Sequence, residues 1–155
     1  MPMKINHIGI TVADIDAAVD FYTRAFDLTV LVAPFDASAE TDGAERRFDV
    51  FGARWKHMKL AHLVNTEGAG FEIFQFVEPP VAVREEGFDY WNTGISHLAL
   101  TVDDLEGTIA RIAELGGRAR SGIHELPSGA RVCYCADPWD TAIELVTTSY
   151  ATLVS

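Results

Sequence analysis

The sequence predicts an α+β fold built from two βαβββ modules, on three observations. Ile5-Asn6-His7-Ile8-Gly9-Ile10-Thr11-Val12 returns ninety positions later as Ile95-Ser96-His97-Leu98-Ala99-Leu100-Thr101-Val102, with a histidine at the same place in both apolar runs. Each run leads through acidic residues, Asp14 and Asp16 in the first copy and Asp103, Asp104 and Glu106 in the second, into a helical periodicity. Each copy then passes through β-type runs to a last strand that carries a glutamate among apolar residues, Glu72 and Glu144. The organisation expected is one domain over 1–155, with module 1 at 1–78, a connector at 79–93, module 2 at 94–148 and a tail at 149–155.

Composition narrows the function classes. A chain of 155 residues that is 48% hydrophobic has enough apolar material for a sizeable core. Its formal net charge of −11 disfavours nucleic acid or an anionic membrane as partner, because Arg46-Arg47 and Arg118 with Arg120 are too few and too scattered to neutralise either. The N-terminus runs into a strand without the apolar stretch of a signal peptide, and no run reaches the roughly 18 apolar residues of a membrane span, so a soluble cytoplasmic protein is expected. Cys133 and Cys135 alternate with Tyr134, which is neither a redox motif nor a disulfide geometry, and predicts two reduced cysteines on one strand face.

After the first strand, Asp14 is the expected N-cap, and Ile15, Ala18, Val19, Tyr22, Ala25 and Phe26 recur at helical spacing. Leu28 to Phe35 reads as a strand ended near Pro34. Residues 36–46 are small and polar and predict a mobile surface loop, with a lid as the functional alternative. Phe48 to Val64 reads as strand-like, and residues 71–77 as a strand with Glu72, Phe74 and Phe76 on one face. Pro79-Pro80 stops it, and the charged connector that follows holds Phe88, Tyr90 and Trp91. The second module repeats the order: a strand at 94–102, a helix opened by Asp103 with Glu106 in a capping-box pattern, and a stop at Gly116-Gly117. Strands near 118–126, 130–136 and 141–148 complete it, the last presenting Ala142, Glu144 and Val146 on one face.

Four residues thus occupy equivalent places in equivalent halves: His7, Glu72, His97 and Glu144. Histidine and glutamate are 65 residues apart in the first half and 47 in the second, a difference that the 36–46 loop and a longer middle region absorb. Two carboxylates among apolar residues facing two imidazoles call for a shared cation. Nitrogen and oxygen donors suit Zn²⁺, Ni²⁺, Co²⁺, Mn²⁺ or Fe²⁺, and no cysteine cluster is present to form a closed structural zinc site.

His7-Ile8-Gly9-Ile10-Thr11-Val12, with Ala17-Ala18-Val19-Asp20-Phe21-Tyr22 and Phe26-Asp27-Leu28, resembles the opening signature of glyoxalase I and its relatives in the vicinal oxygen chelate superfamily. Asp137-Pro138-Trp139-Asp140-Thr141-Ala142-Ile143-Glu144-Leu145 resembles their closing strand. The resemblance implies paired βαβββ modules that form a cupped mixed sheet around a divalent metal, commonly in a homodimer, with His7, Glu72, His97 and Glu144 as ligands. Asp27 stands where the signature usually has glycine. Thr11 and Phe76 replace the arginine and asparagine that contact glutathione in glutathione-dependent glyoxalases, which argues against that thiol here.

By resemblance to glyoxalase I and methylmalonyl-CoA epimerase, the expected chemistry is isomerase or lyase: a proton moves at the carbon next to a metal-chelated carbonyl, with Glu72 and Glu144 as carriers. The substrate expected is a small molecule with vicinal oxygens. Two alternatives stand beside it. An Fe²⁺ extradiol dioxygenase would use His7, His97 and Glu144, with His57, His62 or Tyr134 as candidate bases that read equally as packing or surface. A metal-free protein of bleomycin-resistance type would hold a cationic small molecule in a groove lined by Trp55, Tyr90, Trp91 and Trp139.

Overall fold

Each half of the chain pairs its first strand with its last. A computed structural model describes residues 3–83 and 89–155, and the chain divides into two compact units, Met1–Val83 and Arg84–Ser155. Phe88 of the connector lies outside the described residues. In the first unit β1 (His7–Thr11) runs parallel to β4 (Gly70–Glu78), while β3 (His57–Val64) and β2 (Thr29–Ser38) continue the sheet antiparallel in the order β1-β4-β3-β2. Parallel neighbours require a crossover, and the helix α1 (Ile15–Phe26) begins it.

Asp14 caps α1 as expected, its carboxylate accepting from the Ala17 amide at 3.1 Å. The buried stripe is Ile15, Ala18, Phe21, Tyr22 and Ala25. Phe21 belongs to it, whereas Val19 and Phe26 are only partly buried. Burying Ile15, Phe21 and Tyr22 contributes about 2 kcal/mol each, against tenths for helix propensity, so docking on the sheet holds this helix. The sheet answers with Ala61, Leu63, Phe71 and Ile73, all buried and in register as Ala61↔Ile73 and Leu63↔Phe71.

The other face of this sheet carries Glu72, Phe74 and Phe76 opposite His62, Leu60 and Met58. Here the structure corrects the sequence reading. Residues 36–38 belong to β2, which runs through Pro34 with an irregular register between Val32 and Phe35. An edge strand tolerates a proline because one side of its backbone has no ladder to complete. Residues 44–51 form a helix, α2 (Ala44–Phe51), and not a loop followed by a strand. Ala44, Phe48 and Phe51 fall on one side of α2 and pack against the buried cluster of Ala37, Trp55, Met58 and Leu60. Trp55 is therefore a core residue, and Phe51 meets Phe74 and Phe76 at ring-centre distances of 6.0 and 5.4 Å.

The second unit repeats the topology. β5 (Leu98–Thr101) is parallel to β9 (Ala142–Val146), β8 (Arg131–Ala136) pairs β9 antiparallel, and β6 (Arg118–Ala119) and β7 (His124–Glu125) both pair β8. The predicted strand at 118–126 is thus two short pairings with a break between them. β5 is shorter than expected, and His97 immediately precedes it. α3 (Leu105–Glu114) buries Leu105, Thr108 and Ile112 and packs against β6 and β8. Its N-cap is Asp104, which accepts from the Gly107 amide at 2.9 Å, and not Asp103. Gly116 takes the left-handed conformation at φ 89° that ends the helix. Cys133 and Cys135 are buried and unbridged, 3.9 Å apart at sulfur, on the face shared with Ile143 and Leu145. The tail carries a short helix, α4 (Tyr150–Leu153), capped by Ser149. Among the described residues no helix is long and apolar enough to cross a membrane.

Candidate metal centre

The parallel pairings decide where each glutamate meets its histidine. Glu72 aligns with Gly9 and Glu144 with Ala99, in both cases the second residue after the histidine. Side chains two apart along a strand share a face, so each carboxylate turns to the side of the sheet that carries the imidazole. His7 Nε2 lies 3.5 Å from Glu72 Oε2, and His97 Nε2 lies 3.2 Å from Glu144 Oε2. His7 is half exposed, while Glu144 retains only 13% of its side-chain exposure.

The other nitrogen of each ring is held by the preceding residue. His7 Nδ1 is 2.7 Å from Asn6 Oδ1, and His97 Nδ1 is 2.9 Å from Ser96 Oγ. Asn6 Oδ1 only accepts, so the proton of His7 sits on Nδ1 and the Nε2 lone pair faces Glu72. Such outer hydrogen bonds fix the tautomer and orientation of metal-binding histidines. Sequence reasoning passed over Asn6 and Ser96, although a polar residue before each repeated histidine was visible.

The donor set fits a divalent ion. Two ligands bound at about 2.1 Å to one ion lie roughly 3.0–3.4 Å apart when they are cis-octahedral or tetrahedral neighbours. The nitrogen–oxygen distances in the two pairs match or lie close to this range. Among the described residues of either unit, no three His, Cys, Asp or Glu side chains converge as a metal cluster, so each unit by itself offers a pair.

A third polar group flanks each glutamate from the next strand. His62 pairs with Glu72 in the β3·β4 ladder, with Nδ1 3.8 Å from Oε1 and its ring stacked on Phe35 at 6.0 Å. Tyr134 pairs with Glu144 in the β8·β9 ladder. Burial, then the charge of Glu144 and the hydrogen bond to it, push the Tyr134 phenol up to about 12, so it stays protonated at neutral pH. His57, by contrast, sits at the far end of β3 and bonds Asp36 at 2.7 Å. The aromatic groove expected of a cation binder is dispersed: Trp55 is in the core and Trp91 is 82% exposed.

Comparison with known proteins gives the same architecture. The chain is 26% identical over 157 aligned residues to a 2-epi-5-epi-valiolone epimerase of an Actinomyces species, covering 93% of this chain and 79% of that protein. A glyoxalase family protein of Bacillus cereus superposes with a TM-score of 0.78 at 18% identity over 95% of both chains. The fosfomycin resistance protein FosX of Listeria monocytogenes, solved with Mn(II) and sulfate, superposes with a TM-score of 0.65 at 15% identity over the whole of both chains. The sequence pattern of the Glyoxalase/Bleomycin resistance protein/Dioxygenase superfamily matches residues 4–145, and the chain belongs to that superfamily.

Proposed function

We propose that this protein is a divalent-metal-dependent isomerase that moves a proton at a carbon next to a chelated carbonyl, with His7, Glu72, His97 and Glu144 as metal ligands. The observation that carries the reading is the repeated pair: an imidazole Nε2 and a carboxylate oxygen 3.5 Å apart in one unit and 3.2 Å apart in the other. The epimerase named among its relatives supports isomerase over lyase chemistry, and the Mn(II) bound by FosX supports a divalent metal. When bound, the metal supplies Lewis-acid polarisation of the carbonyl. Glu72 and Glu144 take the proton from the adjacent carbon and return it to that carbon or its neighbour. Asn6 and Ser96 hold the imidazoles in place, and Tyr134 and His62 orient the carboxylates. The substrate is a small molecule with neighbouring oxygens. Thr11 and Phe76 offer no glutathione contact of the usual kind.

Metal analysis of protein purified without a histidine tag, followed by proton exchange in heavy water with α-hydroxyketone substrates, tests this reading. Metal retention with solvent deuterium entering the substrate is expected, and Glu144→Gln abolishes exchange. Protein that binds no divalent metal after reconstitution sinks the proposal. A second reading is favoured by Tyr134 beside Glu144: an Fe²⁺ extradiol dioxygenase using His7, His97 and Glu144, with Tyr134 near the reacting oxygens. Oxygen uptake with catechols, absent under the isomerase reading, separates the two.

A further inference from the structure

The break between β6 and β7 brings an arginine beside Tyr134. The amides of Arg120 and Ser121 both donate to the Tyr134 carbonyl, at 2.7 and 3.1 Å. Two residues therefore oppose one, and the strand bulges at the position facing the cross-strand neighbour of Glu144. A bulge re-aims the side chains it carries. Here a cavity of about 420 Å³ opens, lined by Tyr90, Arg120, Ser121 and Tyr134.

The cavity has a definite polarity. The Arg120 guanidinium lies 5.3 Å from the centre of the Tyr90 ring, and Tyr90 meets Tyr134 edge-on at 5.6 Å. Tyr134 in turn meets the His97 ring edge-on at 5.3 Å. A guanidinium carries five N–H donors in one plane, more than a single neighbour uses, and their fork matches the oxygens of a carboxylate or phosphoryl group. With a formal charge of −11 the chain as a whole repels anions, so a cavity that takes one has to supply the cation locally. A cationic guest would face the same guanidinium as a like charge.

We propose that this cavity is the subsite for an anionic substituent of the substrate, a carboxylate or a phosphoryl group held by Arg120 between the walls formed by Tyr90 and Tyr134. The proposal rests on the isomerase reading for the reacting end of that substrate. Glu144, Tyr134 and Arg120 belong to or adjoin three successive strands, β9, β8 and β6. Arg120 is thus two strand spacings, about 10 Å of backbone, from Glu144. A substrate that engages both ends carries its oxyanion several bonds from the carbonyl, which a three-carbon hydroxyketone cannot do.

Calorimetric titration of inorganic phosphate and of acetate into chelator-treated wild-type protein, Arg120→Gln and Arg120→Lys tests the subsite. Saturable binding of one of the two anions to wild type is expected, weakened about tenfold or more in Arg120→Gln and less in Arg120→Lys, as loss of a charged hydrogen-bond donor predicts. The anion bound more tightly identifies the substituent as phosphoryl or carboxylate. Circular dichroism checks that the variants fold, and Arg120→Lys keeps the charge where Arg120→Gln might perturb packing. Absence of saturable binding by both anions, or equal binding by wild type and Arg120→Gln, overturns the proposal. Mn²⁺ affinity is measured on the same proteins. Since the anion arm uses protein stripped of metal, failure to bind Mn²⁺ would sink the metal reading and leave the anion result to stand or fall by itself.

Discussion

Tyr134 faces Glu144 across the β8·β9 ladder and hydrogen-bonds its carboxylate. The phenol, held protonated, serves as a fixed donor that limits the directions in which the glutamate can point. Tyr134→Phe keeps the ring packed against His97 and removes only the donor. Turnover in the deuterium-exchange assay is expected to fall about tenfold while metal content and the substrate KM hold, since one hydrogen bond to a charged group is lost. A variant with unchanged turnover removes Tyr134 from the positioning machinery.

Asn6 and Ser96 act on the metal through the histidines that follow them. Asn6→Ala and Ser96→Ala are expected to weaken Mn²⁺ binding about tenfold each, the usual effect of deleting a hydrogen bond behind a histidine ligand. Competition with a coloured chelator measures this directly. His57→Ala, which breaks only the contact with Asp36, serves as the control and leaves affinity as it was.

Burial, then the neighbouring Cys133, push the Cys135 thiol up to about 12 from an ordinary 9.0. Thiolate is the reactive form, so Cys135 should resist a disulfide reagent at pH 8 in the native protein and react once guanidinium unfolds it. The linkage sign follows from the raised value. Cys135 contributes stability that is complete below the unfolded pKa near 9 and is lost as pH rises towards 12. Urea midpoints measured from pH 8 to 11 should therefore decline less steeply in Cys135→Ala than in wild type.

Asp27 ends α1 in the left-handed conformation, at φ 53° and ψ 33°. A side chain is strained there, and a carboxylate at the carbonyl end of a helix opposes the helix dipole. Asp27→Gly is expected to stabilise the protein by about 1 kcal/mol, a rise of roughly 2–4 °C in Tm by thermal melting. A lowered Tm would mean that Asp27 makes a compensating contact.

The repeat made both modules and the four candidate ligands legible, because strands that start and end a βαβββ unit carry their signal in local alternation. The same repeat also held the answer on the second cap. Asp104 is ninety residues after Asp14, whereas the Glu at the fourth position after Asp103 drew attention one residue too early. α2 escaped for a physical reason: it opens at Gly43 with no side-chain cap, and only Ala44, Phe48 and Phe51 carry its period, too few to stand out from a β-type aromatic run. The bulge at Arg120 escaped because two amides sharing one carbonyl leave no trace in residue type. His62 and Tyr134 look like ordinary strand residues until register sets them opposite Glu72 and Glu144.

The pairing of first strand with last has a consequence for biogenesis. Each histidine is made early in its module and its glutamate 65 or 47 residues later, and only the β1·β4 or β5·β9 ladder brings them within 3.5 Å. Closing loops of that length is the slow, high-contact-order part of such topologies. A nascent or truncated module therefore has no chelating pair at all, and the ability to capture an ion emerges in one step when the closing strand docks. Ion capture thus acts as an inspection of finished modules, withheld from every partly folded form of the chain.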